Sequence, residues 1–132
     1  VTSPPRALVV VAALALTGCS AGARSPEGAV RKLADASAAG DHAVVWSLLG
    51  PETKRRLEAQ ARHAAPIAGR RAIAPEDLIA VGWEPPRFRL TSIKLRERRG
   101  DEAQVEVRGP AGQVDVVRCV RVGDRWSIEL AP

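Results

Sequence analysis

The chain has 132 residues, 45% hydrophobic and 27% charged, which suits one globular domain and excludes a disordered or collagen-like polymer. Its formal charge is +5, with 17 Arg against 3 Lys, a bias that GC-rich codons produce and that also suits an anionic surface. Tyr is absent and only three Trp and one Phe occur, which argues against base stacking on single-stranded nucleic acid.

Residues 7–16 read ALVVVAALAL, ten apolar residues behind the single charge of Arg6. A bilayer-spanning helix needs about 20, so the run fits the apolar part of a secretory signal. Leu16, Thr17, Gly18 and Cys19 follow. At all four positions they resemble the lipobox of bacterial lipoprotein precursors. Small residues at 17 and 18 give a signal peptidase access to the bond before Cys19, and the Cys19 sulfur is the group that takes a diacylglyceryl chain. The resemblance implies a signal peptide over 1–18, a lipidated Cys19 with a tether to residue 25, and a single domain over 26–132. It also implies a lipid anchor in the cell envelope. Ser20 in place of Asp points to the outer membrane, facing the periplasm. A secreted chain has no nucleic-acid partner to meet.

The next half reads as helical. Ser25-Pro26-Glu27, Gly50-Pro51-Glu52 and Ala74-Pro75-Glu76 each put Pro where a helix needs no backbone donor, followed by an acid at the positive helix end. The periodicity predicts helices over 26–39, 42–49, 51–64 and 75–81, with a loop over 65–74. Val30, Leu33, Ala34 and Ser37 form the apolar stripe of the first, and Asp41 caps the second. Leu57, Ala61 and Ala64 form the buried side of the third, whose Glu52/Arg56 and Glu58/Arg62 pairs are spaced for i, i+4 contact. Leu78 and Ile79 point inward from the fourth.

The last third alternates as antiparallel strands. Phe88 and Leu90 share one phase and Ile93 and Leu95 the other, which predicts a β-bulge at Thr91-Ser92. Val105 and Val107 mark a second strand. Residues 113–122 make a third, with Val114, Val116, Val120 and Val122 on one face. Gly123-Asp124 is a two-residue hairpin loop into a fourth, where Trp126, Ile128 and Leu130 alternate with Ser127 and Glu129.

Gly40-Asp41, Trp46, Leu49, Pro51-Glu52-Thr53, Arg56-Leu57 and the run Gly123 to Leu130 carry a second likeness. In that order they resemble small lipoproteins of the nuclear-transport-factor-2-like superfamily. The implied architecture is α+β: N-terminal helices packed on a curved four-stranded antiparallel sheet, shaped as a cone. Such a cone would bring Trp46, Trp83 and Trp126 together with Leu49, Leu57, Ile79, Phe88 and Leu90. These residues are either ordinary core or the lining of an apolar ligand pocket.

The residues offer little for catalysis. A steroid-isomerase site of the kind this fold hosts uses a Tyr, which the chain lacks. Asp115 and Glu106 read as solvent-side charges, His42 as part of a helix start and His63 as a cation at a helix end. Cys119, mid-strand among valines, reads as a buried inert thiol, since Cys19 carries lipid. No nucleophile elbow, P-loop, dinucleotide fingerprint or zinc-ligand set is present, so no catalytic residue, metal or cofactor is assigned. Lys94, Arg96, Arg98 and Arg99 form a basic strand end that is solvated or meets an anionic surface. The expectation is a non-catalytic, membrane-anchored envelope lipoprotein. It either binds an apolar small molecule, lipid or peptide, or docks an envelope protein with its cone filled by its own side chains. An enzyme of hydrolase or isomerase type is the third reading.

Overall fold

The computed structural model describes residues 23–69, 72–82 and 89–132. Four helices precede four strands: α1 (Pro26–Ala38), α2 (His42–Leu48), α3 (Pro51–Ile67), α4 (Pro75–Gly82), β1 (Ser92–Arg99), β2 (Glu102–Arg108), β3 (Val114–Val122) and β4 (Arg125–Glu129). The strands form one open antiparallel sheet in the order β1-β2-β3-β4. The fold is therefore α+β, with the helices on one face of a meander.

Local chemistry sets the helix starts. The Ser25 hydroxyl accepts from the Gly28 amide at 3.0 Å and Asp41 accepts from the Val44 amide at 3.1 Å. Gly40 sits at φ 67° between α1 and α2, a conformation that L side chains rarely adopt. α1 lies across all four strands, while α2 and α3 pack along β4 and α4 closes on α2 and α3. The buried residues of α1 are Pro26, Ala29, Val30, Leu33 and Ala36. Relative to the expected stripe, Val30 and Leu33 hold, while Ala34 and Ser37 are only half-buried.

α3 runs three residues past its expected end, with Pro66 in its last turn. A proline there removes only one late hydrogen bond, and the turn closes through Ala68 N to Ala64 O and Gly69 N to Pro66 O. The bulge also moves. β1 pairs regularly from Ser92 to Leu95, and the register slips between Leu95 and Glu97. The extra residue is the exposed Arg96, on an edge strand where a charged side chain can stay in water. Phe88, part of the expected phase change, lies outside the described residues.

The four valines of β3 do share a face, but it is the one turned from the helices. Val114 is 51% and Val122 53% exposed. Register explains this: Ala103, Val105 and Val107 of β2 face α1, and they pair with Cys119, Val117 and Asp115. The core joins those residues to Val30, Leu33, Val45, Leu48, Leu49, Ile79, Trp126 and Ile128. Cys119 is fully buried, with its Sγ 3.9 Å from the Pro26 carbonyl oxygen, and burial pushes its thiol up to about 12.

Candidate functional site

The outer edge of β4 is where the halves of the chain meet. Ala23 pairs with Trp126 in antiparallel fashion, and Leu49 pairs with Ile128 in parallel. Gly50 N donates to Ile128 O at 2.7 Å. α3 begins there with Gly50 at its N-cap, a residue that has no side chain with which to cap the helix. The cap comes instead from Glu129, 76 residues beyond Thr53. Its Oε2 accepts from the Thr53 amide at 2.8 Å and the Thr53 hydroxyl at 2.6 Å, and its Oε1 accepts from the Glu52 amide at 3.1 Å. Thr53 Oγ1 in turn accepts from Leu130 N at 2.9 Å, and Arg56 Nη2 donates to the Leu130 and Ala131 carbonyls at 3.1 and 3.2 Å.

Glu129 is only 6% exposed, so its place in the outward phase of β4 does not put it in solvent. Its charge meets the positive end of α3 and its oxygens meet orphan donors, which is how a carboxylate can be buried at low cost. Gly50 is fixed by the same contact, since a Cβ on residue 50 would collide with the Glu129 carboxylate. Gly50→Ala is expected to lower unfolding stability by about 1–3 kcal/mol, the usual cost of overpacking, in a urea titration followed by circular dichroism. An unchanged midpoint would show that Glu129 does not hold this position. Arg118, opposite Glu129 on β3, bonds Glu102 at 2.8 Å and Glu52 at 3.2 Å, and these bonds raise its pKa in that order of weight. Thus Glu52 turns to Arg118 and Arg56 to the chain end, rather than to each other as their i, i+4 spacing predicts.

The residues expected around an apolar pocket divide by depth. Trp126 is 2%, Leu49 2% and Ile79 4% exposed, so these three are packed core. Trp46, Leu57 and Leu90 are half-buried against that core. The Lys54 ammonium lies 5.5 Å from the Trp46 ring centroid, and the Arg98 guanidinium lies 5.0 Å from that of Trp126. The rung from Arg98 runs through the small Ala103 and Cys119, which leaves Arg98 and Trp126 room to meet. Trp83 and Phe88 lie outside the described residues, as does Cys19. A separate groove of about 530 Å³ runs between α3 and the start of α4, lined by the apolar Ala61, Ala65, Pro66, Ile73 and Pro75 and by the charged Glu58 and Arg62. Sequence reasoning missed it because it needs α3 to extend beyond residue 64.

His42, His63 and Asp115 are exposed, and Glu106 pairs with Arg108 at 2.6 Å. Among the described residues no cluster of His, Cys, Asp and Glu could hold a metal ion, and no helix is long and apolar enough to cross a membrane. No family model, curated protein or solved structure matches this chain.

Proposed function

We propose that the chain is a lipid-anchored protein of the cell envelope whose domain works by docking an envelope partner rather than by catalysis. In this reading the domain has a nuclear-transport-factor-2-like architecture with a filled interior. The observation that carries the docking reading is the burial of Trp126, Leu49 and Ile79, which leaves them almost no surface to offer a ligand. The buried carboxylate of Glu129 is taken up by three donors at the start of α3, a structural role in this reading. The anchor rests on Leu16, Thr17, Gly18 and Cys19 behind an apolar run. Outer-membrane delivery rests on Ser20.

The α3–α4 groove favours a second reading, in which an apolar small molecule, lipid or peptide occupies it. Native mass spectrometry of the gently purified chain separates the two. The expected spectrum shows the polypeptide with its N-terminal modification and nothing more. A further adduct that is lost in Ala65→Trp, which fills the groove, would replace docking by ligand binding.

A further inference from the structure

Ala23, the first described residue, is held to β4 by Ala23 N to Trp126 O at 3.1 Å and Trp126 N to Ala23 O at 2.7 Å. Four peptide units separate Ala23 from Cys19. An extended chain spans at most about 3.5 Å per residue, so a lipid on Cys19 holds Ala23 within about 14 Å of the bilayer surface. Strands rise about 3.3 Å per residue, which puts the β3–β4 turn at Asp124 about 7 Å from the Ala23–Trp126 rung. The β2–β3 turn around Ala111 lies more than about 20 Å away, at the other end of the sheet.

The two ends differ in charge. Near Ala23, Arg24 follows it in the chain, Arg125 precedes Trp126, and Arg121 sits opposite Trp126 on β3. Arg98 lies over the Trp126 ring, and Arg96 occupies the bulge. Three acids at this end are paired: Asp101 with Arg121 at 2.6 Å, Glu97 with Arg99 at 2.6 Å and Glu102 with Arg118, while Asp124 is exposed 3.8 Å from Arg125 and Glu27 lies in the first turn of α1. Arg24, Arg96 and Arg98 are exposed and have no carboxylate partner among the described residues. The far turn, residues 109–113, has no charged side chain.

We infer that the end of the sheet bearing Arg24, Arg96 and Arg98 rests on anionic, phosphate-bearing lipid headgroups, with these arginines facing the phosphates. The inference rests on the reading of Cys19 as the anchor. The short tether confines which part of the domain can reach the surface, and the charge selects among the reachable faces.

The test uses the full lipidated chain carrying a bimane on Val122→Cys or Ala111→Cys, both exposed positions, one at each end of the sheet. Cys119 takes no label because it is buried with a protonated thiol. The vesicles are phosphatidylcholine with or without phosphatidylglycerol and contain a headgroup nitroxide quencher. With phosphatidylglycerol, quenching at residue 122 is expected to exceed that at 111 several-fold. The excess should vanish when Arg24, Arg96 and Arg98 are all changed to Gln. Half-molar salt should produce the same loss without any substitution. Equal quenching at both ends, or no dependence on phosphatidylglycerol, overturns the inference while leaving the anchor intact, provided the mass of Cys19 in the same sample shows its lipid. An unmodified Cys19 overturns the anchor and the inference together.

Discussion

Trp126→Ala is expected to destabilise the domain by about 3–5 kcal/mol, the range for deleting a buried aromatic that its surroundings cannot collapse to replace. Among the described residues Trp126 is the largest of the fully enclosed side chains. It stands where four parts of the chain converge. Its backbone holds Ala23, its register partner is Arg121, and its ring lies beneath Arg98 and within the cluster that includes Leu49 and Ile128. Removing the ring opens a void under α1, while the backbone bonds to Ala23 remain. Urea unfolding monitored by circular dichroism measures the loss. A change below about 1 kcal/mol would mean that the ring is not core, and the interior could then host a ligand.

Glu129→Ala should cost about 2–4 kcal/mol, because two backbone amides and a hydroxyl at the start of α3 lose a charged acceptor together. Glu129→Gln keeps one oxygen but turns an amide donor toward other donors, so it should recover only part of the loss. The coupling to Thr53 can be read directly. In a double-mutant cycle with Thr53→Val, the two losses should fall short of additivity by about 1 kcal/mol or more, since the groups belong to one network. Additive losses would place Glu129 elsewhere than against α3.

The order of elements was legible because local chemistry repeats it. Three Pro-Glu starts, the Gly40-Asp41 break and the Gly123-Asp124 hairpin each fix a boundary within a few residues. What lay hidden depended on partners far along the chain. Glu129 follows the outward phase of β4 and looks like a solvent charge, yet α3 covers it. One signal was present: a helix start whose N-cap is Gly50 must find its acceptor outside its own segment. The exposed β3 valines show the same limit. Alternation placed them together, but only pairing with Ala103, Val105 and Val107 decides which face meets α1. The bulge at Arg96 was masked because Leu90 and Ile93 change phase without both belonging to the strand. Of the proposed pocket residues, sequence reasoning found the core members Leu49, Ile79 and Trp126, while depth alone distinguishes packing from a ligand wall.

The Pro51-Glu52-Thr53 segment and the end of β4 meet in the structure, a contact the sequence does not announce. Thr53 and Arg56 read the end of β4 through hydrogen bonds, so the two stretches act as one joint. Beside that joint Ala23 pairs with Trp126 at the outer edge of β4.

The anchor is the claim on which the functional account turns, and the mass of the N-terminal peptide of the protein recovered from membranes tests it most directly. The account predicts a chain beginning at Cys19 with a diacylglyceryl thioether on its sulfur, and a Cys19→Ala variant that no longer partitions into detergent. A peptide that begins elsewhere, or an unmodified Cys19 in membrane-recovered protein, would contradict it.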